Sequence, residues 1–218
     1  MAKVVNVKES VMAADEIVAE RVRKFCRDRN ILLVNLIGSP GSGKTTLLEA
    51  MKKYSDIKFA VIEGDVETER DADRINALGV PVVQVNTHGG CHLEANLVEK
   101  GLQQMALEDI HLLFIENVGN LVCPVEFDLG EDKKVAVNSV PEGADKPLKY
   151  PHLFHKAGAV LLTKMDLLPY ISFDMKVFES DLEKLNPEVP FLKIEALKGE
   201  GIKEWVNLIK GWMKEKSD

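Results

Sequence analysis

The residues Gly38-Ser39-Pro40-Gly41-Ser42-Gly43-Lys44-Thr45-Thr46 carry the most specific chemistry in this chain. Their spacing is G-x-x-x-x-G-K-S/T, a loop whose backbone N–H groups wrap a polyphosphate. Glycines at 38, 41 and 43 permit the left-handed and close-approach backbone of such a cradle. Lys44 is placed to reach the terminal phosphates, the Thr45 hydroxyl to meet Mg²⁺, and Ser42 and Thr46 to join the phosphate contacts. The apolar run Ile31-Leu32-Leu33-Val34-Asn35-Leu36-Ile37 stands directly before it. The loop therefore lies where a buried strand passes into a helix, and the helix adds its positive N-terminal end.

Further polar groups follow other apolar runs. Glu63-Gly64-Asp65 comes after the second and Glu116-Asn117-Val118-Gly119 after the fourth. A hard Mg²⁺ ion keeps several waters, so Thr45 with carboxylates from Asp65 and Glu116 makes a sufficient set. Gly119 is placed to offer an N–H to a γ-phosphate, as in the D-x-x-G element of GTPases, here written with Glu. Asn120 follows where Ras-like enzymes use a water-orienting glutamine, so slow intrinsic hydrolysis is expected.

Thr163-Lys164-Met165-Asp166 ends another apolar run and matches N-K-x-D in three of its four residues. A carboxylate at 166 accepts hydrogen bonds from guanine N1–H and N2–H₂, which adenine lacks, while the Lys164 stem lies over the base. Thr163 replaces the usual Asn that tethers this loop to the phosphate loop. Ala196-Leu197-Lys198 falls where a last base-contacting loop belongs.

Cys91 and His92 are adjacent, and Cys123 follows the Glu116–Val122 stretch directly. Two thiolates and an imidazole suit Zn²⁺ or Ni²⁺, and two loops can converge on one ion. By residue type alone the thiols fit equally well as small buried apolar groups. His88 is the additional candidate ligand. Cys26 lies beside an apolar helical stripe and reads as core.

The elements that must position these groups follow from the apolar pattern. Residues 58–62, 80–85, 111–115, 135–140, 159–163 and 191–194 read as strands, and 93–107, 174–185 and 202–216 as helices. Strands apolar throughout and separated by helices indicate an α/β fold: a mostly parallel sheet with helices on both faces, here of the P-loop NTPase type. Val11, Ala14, Val18, Val22 and Phe25 fall at helical spacing. They predict an amphipathic helix within residues 1–29 packed on a nucleotide-binding domain of residues 30–218.

The chain has 218 residues, a formal net charge of −7 and 3 cysteines. The acidic balance argues against nucleic acid as a partner. With no long apolar segment and no signal-peptide pattern, the expectation is a cytoplasmic protein without a membrane association.

The phosphate loop, Gly90-Cys91-His92-Leu93, Glu116-Asn117-Val118-Gly119-Asn120-Leu121-Val122-Cys123-Pro124, the 142–151 segment and Lys164-Met165-Asp166-Leu167-Leu168-Pro169-Tyr170 together resemble the HypB family of hydrogenase nickel-incorporation GTPases. That family shares a P-loop group with the urease accessory GTPases (UreG), which carry Cys-Pro-His instead. The resemblance implies a GTP-hydrolysing metallochaperone with a Ni²⁺ or Zn²⁺ site at Cys91, His92 and Cys123. It also implies a homodimer favoured by GTP, a HypA-like nickel chaperone as partner, and delivery to the large subunit of nickel-iron hydrogenase. Some members begin with a cysteine-rich or histidine-rich nickel motif, which this sequence does not have, so nickel storage is not expected. Two alternatives remain open: a chaperone GTPase for another metalloenzyme, urease-type or cobalamin-type, and a GTP-controlled assembly switch whose thiols are structural. ATP as the substrate is disfavoured by Asp166.

Overall fold

A computed structural model describes residues 7–65, 70–87 and 89–217, with the side chains of 7–14, Asp65 and Arg70 left outside the description. The strands are β1 (Leu32–Ile37), β2 (Ala60–Asp65), β3 (Val82–Asn86), β4 (Leu112–Glu116), β5 (Lys133–Ser139), β6 (Ala159–Thr163) and β7 (Phe191–Lys193). The helices are α1 (Val7–Asp28), α2 (Lys44–Tyr54), α3 (Arg70–Asn76), α4 (Ala95–Gln103), α5 (Cys123–Glu126), α6 (Lys146–Lys149), α7 (Pro151–Lys156), α8 (Met175–Leu185) and α9 (Ile202–Ser217). The strands form one sheet in the order β3-β2-β4-β1-β5-β6-β7. All six pairings are parallel.

Alternation along β1 divides the core. Leu32, Val34 and Leu36 face Leu47, Leu48 and Met51 of α2 and Trp205 and Trp212 of α9. Leu33 faces the opposite way, toward Val22 and Cys26 of α1 and Val98 and Leu102 of α4. Burying each such Leu or Met side chain contributes about 1.5–3 kcal/mol. Cys26 is fully buried, and burial pushes its thiol up to about 12, so it packs as an inert apolar group. Along α1 the buried line runs through Ala19, Val22 and Cys26, with Val18 and Phe25 only half-buried. The side chains of Val11 and Ala14 lie outside the described residues.

Most strand ends shift by one to three residues from the sequence reading, and two of the shifts bear on the site. Residues 63–65 were expected to follow the second strand, yet Glu63, Gly64 and Asp65 lie inside β2. They pair with Gln84, Val85 and Asn86, while Glu63 pairs with Glu116. A backbone ladder tolerates charged side chains where they open into a cleft, so the first carboxylate does not end the strand. Conversely β5 stops at Ser139, one residue early. Ser139 and Glu142 there form a capping box around a 3₁₀ turn, with Glu142 Oε2 accepting from Ser139 N and Oγ at 2.7 Å each. No helix among the described residues is long and apolar enough to cross a membrane.

Candidate functional site

The loop between β1 and α2 opens onto a cleft of about 410 Å³ at the carboxyl ends of the central strands, the position where open α/β sheets bind ligands. Gly41, Gly43, Lys44, Thr45 and Thr46 line one side, and Glu116, Gly119 and Lys164 the other. Gly41 and Gly43 take positive φ of 73° and 95°. Gly38 and Ser42 sit behind this wall; Gly38 O accepts from Lys44 Nζ at 3.3 Å and from Asn120 N at 3.1 Å.

Charge is concentrated inside the cleft. Lys44, Thr45, Glu63 and Glu116 are all buried. Thr45 Oγ1 donates to Glu116 Oε1 at 2.7 Å. Burial raises the Glu116 pKa, opposed by Lys44 and by the Thr45 hydrogen bond. Burial likewise lowers the Lys44 pKa, opposed by Glu116 and more distant carboxylates. Glu116 Oε2 is buried with no hydrogen-bond partner, which leaves an oxygen beside Thr45 Oγ1 suited to a hard cation. The Asp65 backbone ends β2 on this side, and its side chain lies outside the described residues.

On the base side, Lys164 takes the left-handed conformation at φ 57° and opens a 3₁₀ turn, Met165–Leu167, that contains Asp166. Met165 N donates to Ile194 O at 3.3 Å, which ties this turn to the chain entering 196–198. Ala196 and Leu197 do not wall the phosphate cleft; they line a separate groove beside Ala50 and Leu78. Tyr54 Oη holds their turn by donating to Leu197 O at 2.9 Å.

Thr163 performs the tether that an Asn was expected to supply. Its Oγ1 lies 2.5 Å from Ser42 O and 3.2 Å from Asn138 O, and its single proton serves the nearer carbonyl. Thr163→Val keeps the shape and leaves the Ser42 carbonyl unpaired. The expected cost is about 1–3 kcal/mol of unfolding free energy, read by urea denaturation of the nucleotide-free protein. An unchanged midpoint would show that the bond is idle.

The second constellation forms where two loops meet. One donor atom from each of Cys91, His92 and Cys123 lies within 4.8 Å of the others, and Cys91 Sγ is 3.5 Å from His92 Nδ1. The imidazole stacks on Phe127 at 3.8 Å between ring centroids. Next to it, Leu93 is fully buried, and Gly64 makes room for it: a Cβ at 64 would lie 2.7 Å from Leu93 Cγ. Leu93 N also donates to Asn117 Oδ1 at 3.2 Å, so β2 and the loop after β4 both fix the Cys-His pair. Cys91 is exposed and Cys123 half-buried, which removes the reading of both as buried apolar fillers. Cys91 is held above the usual thiol range, first by its hydrogen bond with Cys123, then by burial and by the Cys123 charge. Burial shifts His92 downward, toward the neutral imidazole that binds metals. His88 lies outside the described residues.

Comparison with known proteins addresses the whole arrangement. Residues 32–193 match the nucleotide-binding domain of CobW/HypB/UreG proteins. The chain belongs to the CobW/HypB/UreG family. Hydrogenase maturation factor HypB of Escherichia coli K12 is 49% identical over 207 residues, covering 94% of this chain and 71% of that protein. The crystal structure of HypB from Helicobacter pylori in complex with nickel superposes with a TM-score of 0.88 at 37% identity, covering 93% of this chain and 96% of that one. HypB from Archaeoglobus fulgidus superposes at 0.85 with 33% identity, covering 92% and 99%. These relatives share the P-loop α/β fold expected from the sequence.

Asp71 and Arg74 were not singled out by sequence, and Glu63, Asn117 and Asn120 were named without the partners the fold gives them. Glu63 was read as part of a loop, whereas its strand register sets it beside Glu116. Asp71 and Arg74 of α3 also line the cleft, with Arg74 gripping Glu49 through Nε at 3.0 Å and Nη2 at 2.7 Å. Asn117 and Asn120 bond to residues far away in sequence, and nothing local announces such partners.

Proposed function

We propose that the chain is a cytoplasmic GTP-hydrolysing metallochaperone in which nucleotide state times the hand-off of nickel to the large subunit of a nickel-iron hydrogenase. The observation that carries this is the loop running from Gly119, in the phosphate cleft, straight to Cys123, in the Cys-Cys-His cluster. The names of the relatives, hydrogenase maturation factors and a HypB in complex with nickel, support the choice of cargo.

In this reading Lys44 binds the terminal phosphates, Gly119 N–H senses the γ-phosphate, and Asp166 and the Lys164 stem read guanine, with the backbone of 196–197 closing the base site. Thr45, Glu116 and Asp65 would hold Mg²⁺, which when bound neutralises charge on the phosphate oxygens. Asn120 already donates to Cys91 O and accepts from Val122 N, so its side chain is not free to orient water. This supports slow intrinsic turnover, well below about 1 s⁻¹.

The cargo ion is taken by Cys91, His92 and Cys123, two soft thiolates and an imidazole of a type suited to Ni²⁺ and Zn²⁺ alike. Three ligands leave an open position, completed by water, by a HypA-like nickel chaperone or by a second copy of the chain. The expected test results are a nickel affinity that differs at least about fivefold between GDP and a GTP analogue, and a GTP-analogue affinity changed by nickel in the same ratio. Calorimetric titrations in both orders, with light scattering to follow a doubling of mass, read these directly. Equal affinities and a constant mass would refute the reading.

Proton release adds a pH signature. The Cys91 thiol, held above its ordinary range, is protonated near neutrality, so nickel must displace its proton. The His92 imidazole, shifted downward, is already neutral there and competes only in acid. Nickel affinity is therefore expected to rise with pH, by about tenfold per unit for the Cys91 proton displaced, across about pH 6 to 8. A flat profile would mean that the Cys91 thiol is not a ligand.

A further inference from the structure

Asn120 stands between the two chemistries. Its backbone N–H donates to Gly38 O at 3.1 Å, the carbonyl that also receives Lys44 Nζ. Its side-chain Nδ2 donates to Cys91 O at 3.2 Å, and its Oδ1 accepts from Val122 N at 2.9 Å, the amide just before Cys123. One residue thus holds the first residue of the phosphate loop, the backbone of one thiol ligand and the turn that presents the other.

The neighbouring asparagine is built for a different task. Asn117 is fully buried, its N–H donates to Leu36 O at 3.1 Å, and its Nδ2 donates to Asn35 Oδ1 at 3.2 Å. These are bonds to the end of the central strand, and Asn117 Oδ1 accepts from Leu93 N at 3.2 Å, so Asn117 anchors both the loop and the segment after His92 to the rigid sheet. Asn120 is bonded instead to the loop that carries phosphate. Gly119 between them leaves no slack: a Cβ there would lie 2.6 Å from Pro40 Cγ and 2.8 Å from Pro40 N. Residues 119–120 therefore abut the phosphate loop, and any displacement of one must be taken up by the other.

We propose that Asn120 is a positioning residue whose carboxamide sets the placement of Cys91 relative to Cys123 and passes the position of the phosphate loop to that pair. This rests on the reading that Cys91, His92 and Cys123 bind the cargo ion and that Gly119 responds to the γ-phosphate. The chemical requirement is a donor for the Cys91 carbonyl and an acceptor for the Val122 amide on one short planar group, which a carboxamide supplies. An aspartate or a serine at 120 can still accept from Val122 N in an Asx- or ST-type turn. Neither keeps the bond to Cys91: the ionised carboxylate has no proton to donate, and the serine hydroxyl is too short.

The test uses the full chain with Ni²⁺ as the probe, comparing wild type with Asn120→Asp and Asn120→Ser. Nickel affinity is titrated with GDP and with a non-hydrolysable GTP analogue bound, and the sulfur-to-nickel charge-transfer absorption is recorded in each state. In wild type the two affinities should differ at least about fivefold, with a band that changes between states. In both variants the ratio should collapse to near unity and the band should stop responding to nucleotide. GDP affinity should stay within about threefold, the effect of a substitution that touches no nucleotide group. Using two replacements of different charge separates loss of the Cys91 bond from an electrostatic effect on the metal. A wild-type ratio that survives in either variant overturns the inference alone. Equal nickel affinities in the two states of wild type overturn the coupling reading, and the inference with it.

Discussion

Replacing Lys44 by alanine is expected to abolish GTP turnover, lowering it by about 10²–10³-fold or more. Lys44 is 7% exposed at the floor of the phosphate cleft, and its ammonium rests on the Gly38 and Ser39 carbonyls at 3.3 and 3.4 Å. Those are weak partners for a buried cation, and burial accordingly pulls its pKa down. Glu116 and more distant carboxylates offset that only in part, whereas a triphosphate brings its charged oxygens to the ammonium itself, and the charge on them during phosphoryl transfer is what a fixed ammonium stabilises. Among the described residues Arg74 also lines the cleft as a cation, but it is held by Glu49 and Asp71. Phosphate release measured in single and multiple turnover checks this. A Lys44→Ala protein with more than about a tenth of wild-type turnover would mean that the catalytic charge lies elsewhere.

The second large effect is base discrimination. GTP is expected to outcompete ATP by at least several hundredfold, the scale on which a site built to hydrogen-bond a substrate rejects one lacking the partner groups. The tertiary structure gives Asp166 a defined frame. The left-handed Lys164 turns the chain, the following 3₁₀ turn presents the carboxylate, and the Met165–Ile194 bond fixes that turn against the neighbouring loop. Lys198 stands nearby but is committed to Glu195 at 2.6 Å. With adenine, neither N1–H nor N2–H₂ meets the carboxylate, and a charged acceptor is left unpaired. Asp166→Asn should weaken GTP binding by at least about tenfold while ATP binding stays as poor as before. Comparable dissociation constants for ATP and GTP in the wild type would contradict the assignment.

The Cys-Cys-His cluster and the phosphate cleft are joined by contacts between distant parts of the chain. Asn35 toward the end of β1, Asn117 just after β4 and Leu93 before α4 form a hydrogen-bonded line. Asn120 with Cys91 and Gly38 forms a second line beside it. Each asparagine is unremarkable in sequence, since its partner is fixed by which strands are neighbours. Thr163 shows the opposite case. It departs from the usual Asn in sequence, and the structure shows that its hydroxyl already reaches Ser42 O.

What the sequence determined by itself were the features written in local code. The phosphate loop follows from glycine spacing before Lys-Thr. The strands follow from runs such as 111–115, which overlaps the fully buried strand β4 (Leu112–Glu116). The 3₁₀ turn proposed to read the base follows from Lys164-Met165-Asp166. Each of these depends on backbone preference and apolar periodicity over a few residues, and so survives reading one stretch at a time. Only the tertiary structure decided that β2 continues through Glu63 to Asp65, that Glu63 lies in register with Glu116, and that Cys91 and Cys123 converge with His92. Those outcomes depend on the strand order β3-β2-β4-β1, which brings the ends of β2 and β4 and the loop after β3 to one edge of the phosphate cleft. Strand order is set by how the whole set of helices covers the two faces of the sheet, a balance that no single segment encodes.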